Sequence, residues 1–227
     1  MIGPQMMKVA FQITLFVLPW PVRRYILQKA LGFHFDPGAK IGLSVLLCRE
    51  LRMGANASIG HLTLVKGLDQ LIMFNNARLG NLNWVTATSA GNPRHFVDQV
   101  MRTPRFVIGA HAAVTHRHLI DCTDCVELGD YTTFGGWGSQ ILTHSIDIRT
   151  SQQRAAPVKI GRYCFVGTRV IVLKGSVLPA FSVLSAGSVL AHAFKEEYTL
   201  YSGVPATKTA TLERSAEYFS RTEGFIY

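Results

Sequence analysis

From Val158 to Ala193 the chain repeats a small or β-branched residue, any residue, and then an aliphatic one at every sixth position, the aliphatics being Ile160, Val166, Val172, Leu178, Leu184 and Leu190. This period matches neither a helical face, which returns every ~3.6 residues, nor a half-buried strand, which alternates strictly. It predicts a solenoid. Each six-residue unit is a short strand with a sharp corner, and the aliphatics stack toward a central axis, rung on rung.

The same period begins after Asp36-Pro37-Gly38 and runs through Ile41, Leu47, Met53, Ile59, Val65 and Leu71, after which two additional residues move the frame to Leu79 and Val85. A second block runs Ile108, Val114 and Ile120, then makes the same step to Leu128 and Phe134. Superposing Leu79 on Leu128 pairs Ile59 with Ile108, Val65 with Val114 and Leu71 with Ile120, which predicts matched rungs sharing a widened corner. Two segments leave the register. The first, about 86–107, contains Gly91-Asn92-Pro93 and an expected helical turn around 96–101; the second, 145–156, is polar. Loops ejected from a rigid scaffold are where function concentrates.

The ends read differently. Pro21 to Leu31 predicts a helix, with proline in the first turn, Val22, Ile26 and Ala30 on one face, and Gly32 as the stop. The apolar run Val9 to Leu18 is short of the ~20 residues that span a bilayer. No small-x-small cleavage site follows it, so it is expected to be retained. Residues 1–35 are thus expected to form an N-terminal helical cap over the first rung. Arg23, Arg24 and Lys29 beside Phe11, Phe16 and Trp20 would also suit the surface of an anionic membrane. After Ala193 the period stops; Gly203-Val204-Pro205-Ala206 predicts a turn, and Leu212, Ala216 and Phe219 a short closing helix, so 194–227 is expected to be a C-terminal turn and helix. The fold class is an all-β solenoid over 36–193, with short terminal helical segments and two ejected loops.

Composition narrows the chemistry. With 227 residues and 48% hydrophobic content the chain can bury a single large core. Its 23 Lys and Arg against 14 Asp and Glu give a net charge of +9, which suits a polyanionic partner: a phosphate-bearing donor, an anionic membrane or nucleic acid. No helix-turn-helix, zinc-finger or RNP pattern is present, so nucleic acid is not expected. Four scattered cysteines, Cys48, Cys122, Cys125 and Cys164, point to a reducing, cytoplasmic setting, with the inner membrane face as a peripheral option. Cys122-Thr-Asp-Cys125 is a lone CxxC and reads as a corner.

The repeat, the ejected loop preceded by Leu142-Thr143-His144, and Gly203-Val204-Pro205-Ala206 together resemble the hexapeptide-repeat acyltransferases, a left-handed β-helix family that includes sugar O-acetyltransferases of polysaccharide and lipopolysaccharide biosynthesis. The likeness covers roughly Asp36 to Ala206. It implies a left-handed parallel β-helix, a homotrimer, acetyl-CoA as donor in a groove between subunits, a saccharide acceptor, and no metal. Transfer from a thioester to a hydroxyl needs a base, and histidine, with an ordinary pKa near 6.5, contributes about 10² to 10⁴ in rate. The resemblance implies His144 in that role, with Asp147 or Glu127 orienting it; the family's usual proline after this histidine is Ser145 here.

It further implies that His118, Arg117 or Asp121 reaches the acceptor across a subunit boundary. Thr168, Ala186 and Ser188 would let the pantetheine arm approach the backbone, and Lys174, Lys208 and Arg162 would meet phosphates, although Thr207 occupies the family's basic position after the turn. Trp137 and Tyr131 could stack on a sugar. Two other readings remain open. One is a γ-class carbonic-anhydrase-like zinc protein, in which His111 and His116, five apart, would be ligands although Asn75 and Asn76 stand where a third would be sought. The other is a non-catalytic scaffold.

Overall fold

The computed structural model describes residues 4–224 and Ile226. Seven coils between His34 and Leu190 each contribute one short strand to three parallel sheets, which are the walls of the solenoid. In the second wall Ile59, Leu79, Val114, Phe134, Val166 and Leu184 lie in direct register, and all are buried. The third wall stacks Val65, Val85, Ile120, Ile141, Val172 and Leu190 in the same way. The six-residue period is therefore a stack of identical burials.

Three details of the register differ from the sequence expectation. The inward residue of the first coil is Leu46 rather than Leu47. Five residues separate Ile41 from Leu46 where six separate Ile59 from Val65, and the Gln12 amide fixes this phase by donating to the Leu46 carbonyl and accepting from its N–H, both at 2.9 Å. The two-residue steps do not widen a corner. They lengthen the first wall, where Glu50–Met53, Gln70–Met73 and Arg105–Ile108 each turn two residues inward. Consequently Leu79 stacks on Val114 and not on Leu128, and Ile59 and Ile108 belong to different walls.

The corner between the first and second walls places His111, Tyr131, Tyr163, Phe181 and Tyr198 in the left-handed backbone region, which costs a non-glycine residue about 1–2 kcal/mol. Their rings stack in sequence at centroid distances of 4.8, 4.7, 5.5 and 4.7 Å. That spacing is close to the separation of neighbouring strands, so each ring covers the next and helps offset the strain.

At the N-terminus, α1 (Pro4–Thr14) packs on the edge strand Val45–Leu47, and α2 (Trp20–Leu31) ends at Gly32 with φ 67°. The arginines of α2 turn inward: Arg23 donates to the carbonyls of Ile41 and Gly42, and Arg24 to that of Phe35. The C-terminal expectation is corrected. Thr199–Gly203 and Ala206–Thr211 form an antiparallel hairpin that extends the second wall, with Gly203 to Ala206 as its turn. The closing helix is a single 3₁₀ turn, Glu217–Phe219. Instead of coiling, this segment returns along the aromatic stack, where the Tyr163 hydroxyl donates to the Arg221 carbonyl at 3.0 Å and the Arg221 guanidinium lies 3.9 Å from the Tyr218 ring centre. Phe225 and Tyr227, at the end of the expected C-terminal segment, and residues 1–3 of the cap lie outside the described residues.

The first ejected segment, residues 87–104, holds two consecutive turns, Phe96 to Gln99 and Gln99 to Arg102, in place of the expected helical turn. The second is an antiparallel ribbon, His144–Asp147 with Gln152–Ala155. Because each inward aliphatic is enclosed by its own wall and by the coils above and below, Leu184→Ala should cost about 2–5 kcal/mol. Urea unfolding measures this; a loss below about 1 kcal/mol would contradict the stacked core.

Candidate active site

The third wall ends at a single edge, where the last residues of successive strands stack: Asp121 pairs with Thr86, and Leu142 with Leu173. The 87–104 segment leaves the edge after Thr86 and the ribbon leaves it after Leu142. Asp121 lies on the coil between them.

Asp121 is 6% exposed and accepts five hydrogen bonds. Its Oδ2 takes His144 Nδ1 at 2.7 Å and the Thr143 N–H and hydroxyl at 2.8 Å each. Its Oδ1 takes the Thr123 N–H at 3.1 Å and hydroxyl at 2.6 Å. Burial pushes the carboxyl up, but the hydrogen bonds from His144, Thr123 and Thr143 outweigh it and hold Asp121 below the usual carboxylate value. The same contact raises His144 above its ordinary value, against burial and the positive charges of Arg102 and Lys174. With Nδ1 donating to the carboxylate, neutral His144 carries its lone pair on Nε2. Nε2 has no hydrogen-bond partner among the described residues, and the side chain is 37% exposed. A histidine so held can take a proton from a reactant and has an anion at its back to stabilise the imidazolium.

The two ejected segments close over this edge together. The Gln99 amide donates to the Ala155 carbonyl at 3.1 Å and accepts from its N–H at 2.9 Å, and Arg154 pairs with Asp98. The Phe96 ring meets the His144 ring edge-on, with centroids 5.9 Å apart and planes at 87°.

Several expected site residues sit elsewhere. Asp147 does not orient His144: three residues along the ribbon, it accepts the Arg149 N–H at 3.0 Å, while Glu127 pairs with Lys159 on the first wall. His118 cannot reach an acceptor. It is 2% exposed, accepts the Ser139 N–H, bonds the Thr115 hydroxyl at 3.0 Å, and is pushed down to about 4 by burial, with the charge of His116 adding. Ser188 is buried, and its hydroxyl accepts the Gly203 N–H to fasten the terminal hairpin. Lys208 is committed to Glu196, Arg162 lies over the Phe181 ring, and Lys174 donates to the Arg154 carbonyl at the base of the ribbon.

Thr168 and Ala186 belong to the corner between the second and third walls, where the Thr168 hydroxyl donates to the Trp137 carbonyl and accepts its N–H. A Cβ added at the neighbouring Gly187 would meet nothing within 4 Å, so this corner is open. Trp137 shares it, with the Arg117 guanidinium 5.6 Å from its ring centre, whereas Tyr131 is in the aromatic stack. His111 also stacks there and accepts from Asn76, while His116 accepts the Asn81 N–H at another corner, so the two do not share a centre. Among the described residues no three His, Cys, Asp or Glu side chains group to hold a metal ion. Cys122 and Cys125 are buried, and burial pushes both thiols up.

The role of Asp121 is the functional feature that sequence reasoning missed. Its signal is the distance of one coil: Leu119 pairs with Gln140 and Ile120 with Ile141, which carries Asp121 to the start of the ribbon. Replacing Asp121 with Asn removes the charge that raises His144 and leaves burial, Arg102 and Lys174 to lower it. The His144 midpoint, followed by NMR, should therefore fall below about 6.5; an unchanged midpoint would contradict the pairing.

No protein-family model matches the chain, and no curated protein matches it in sequence. Solved structures do. The polysialic acid O-acetyltransferase OatWY aligns with a TM-score of 0.57 at 14% identity, over 82% of this chain and 90% of its own. AntD, an N-acyltransferase from Bacillus cereus in complex with dTDP and 3-hydroxybutyryl-CoA, aligns with a TM-score of 0.53 at 11% identity, over 87% of this chain and 92% of its own. At these identities the likeness establishes the architecture: the chain is a left-handed parallel β-helix.

Proposed function

We propose that this protein is an acetyl-CoA-dependent O-acetyltransferase that modifies a saccharide hydroxyl in polysaccharide or glycolipid biosynthesis. The observation that carries the reading is the Asp121–His144 pair, which leaves Nε2 open at an edge enclosed by two ejected segments. His144 Nε2 removes the hydroxyl proton as the oxygen attacks the thioester carbonyl. Asp121 stabilises the imidazolium. When the tetrahedral adduct collapses, the C–S bond breaks and the proton passes from Nε2 to the departing coenzyme thiolate, leaving the acetyl ester and coenzyme A. Both substrates are held at once, so their juxtaposition supplies much of the remaining rate.

The open corner at Thr168, Ala186 and Gly187 supports passage of the pantetheine arm. That corner and the His144 edge flank the third wall from opposite sides. The outward side of this wall carries Leu64, Trp84 and Leu119 in register, with Leu62 and Leu82 exposed at the adjoining corner. This apolar face supports a trimer in which one copy's open corner meets another copy's His144 edge. The saccharide class is supported by the likeness to OatWY, a polysialic acid O-acetyltransferase. Peripheral attachment to an anionic membrane is supported by Met6, Met7, Ile13 and Val17 with Lys8, all exposed at the N-terminus. Among the described residues no helix is long and apolar enough to cross a membrane.

His144→Ala should lower acetyl transfer from acetyl-CoA to saccharide acceptors by about 10² to 10⁴, in a variant that still unfolds cooperatively in urea. A folded variant with full activity would overturn the reading. So would stoichiometric zinc that is lost on His111→Ala or His116→Ala.

A further inference from the structure

The base is tied to Asp121, yet a buried cation lies beside it that proton transfer itself does not require. Arg102, near the end of the 87–104 segment, is 5% exposed. A buried guanidinium is costly unless its donors are matched. Nη1 donates to the carbonyls of Thr88 and Thr123, and Nη2 to that of Ser89 at 3.0 Å, while the buried Nε has no partner among the described residues. Two of these acceptors belong to the segment and the third to the coil beneath it, so the fork rivets one to the other. The guanidinium carbon also lies 4.5 Å from the centre of the Phe96 ring, the ring that meets His144 edge-on.

Both contacts lead to the catalytic pair. Thr123, held through its carbonyl by Arg102, donates its N–H and its hydroxyl to Asp121 Oδ1, and its hydroxyl accepts the Thr88 N–H at 3.1 Å. Phe96, held through its face by Arg102, bounds the side of the imidazole. We propose that Arg102 is a positioning residue for His144: it fixes Thr123 under Asp121 and Phe96 against the imidazole, leaving the ring one orientation, with Nδ1 on the carboxylate and Nε2 outward. The proposal rests on the reading of His144 as the base.

Arginine is required for its shape. Lysine keeps the charge but cannot serve three carbonyls and lie flat on a ring at once. Arg102→Lys therefore separates position from charge. The charged groups acting on His144 are Asp121, Arg102 and Lys174, while Phe96 is apolar, so this variant leaves the signs around the ring unchanged.

Arg102→Lys and Phe96→Ala are each labelled with ¹⁵N-histidine and followed by NMR across pH, alongside steady-state acetyl transfer. In both, the share of His144 with its proton on Nδ1 should fall; in Arg102→Lys its midpoint should also move down, because the bond to Asp121 is what holds it up, whereas Phe96→Ala also relieves burial and is read by the tautomer. The kcat should drop by about tenfold to a hundredfold, as expected when a reacting group is displaced by about 1 Å, with KM for acetyl-CoA within about twofold of the unaltered protein. Folded variants with an unchanged His144 tautomer would overturn the proposal, whatever their activity. If Arg102→Lys fails to fold, Phe96→Ala decides alone. The NMR measurement reads the ring without turnover, so absence of saccharide acetylation would defeat the base assignment and leave the positioning result standing.

Discussion

Each coil must set its inward aliphatic directly over that of the coil below. The backbone hydrogen bonds of the three walls repeat at the ~4.8 Å spacing of parallel strands, and every burial along the axis depends on keeping that register. The constraint also governs the surface. What ends one strand lies beside what ends the next, so Thr86, Asp121, Leu142 and Leu173 terminate the same wall at one edge. His144 and Asp121, 23 residues apart in sequence, meet because one coil separates them. The Asp121–His144 pair is thus a product of the same stacking that builds the core.

At that edge burial and hydrogen bonding oppose one another. Asp121 is shielded from water, but its five donors keep it ionised. Its folded value lies below the unfolded one, so its contribution to stability is present above the ordinary carboxylate range and is lost as pH falls through the lowered value. His144 has the opposite sign: its contribution is complete below its unfolded value near 6.5 and is lost as pH rises through the raised one. The pair therefore stabilises the protein most in weak acid. Above the raised value, where Nε2 is free to accept a proton, that stabilisation is given up.

The architecture was legible because six-residue spacing has one compact solution, and His144 because an ejected segment follows it. Other features were hidden for physical reasons. The longer strands of the first wall turn two residues inward, so a one-dimensional superposition set Leu79 over Leu128 and obscured the coil offset that joins Asp121 to His144. Asp147 was close in sequence but is carried off along the ribbon. His118 and Ser188 looked like surface polar groups, yet each is buried where a neighbouring corner offers a partner. The spacing of Leu212, Ala216 and Phe219 suits a helix, but packing of the Phe219 ring against the stacked Phe181 and Tyr198 limits that segment to a turn and one 3₁₀ turn. Nothing in the sequence marks Arg102, since a buried arginine is recognisable only once its three carbonyls are assembled.

If His144 is the base, its Nε2 faces the thioester of a bound acyl donor. A crystal structure of the assembled protein with coenzyme A tests this most directly. With His144 as the base, the coenzyme sulfur should lie about 3–3.5 Å from Nε2, with the pantetheine arm running past Thr168 and Ala186. A sulfur bound remote from His144, with Nε2 facing only solvent, would contradict it.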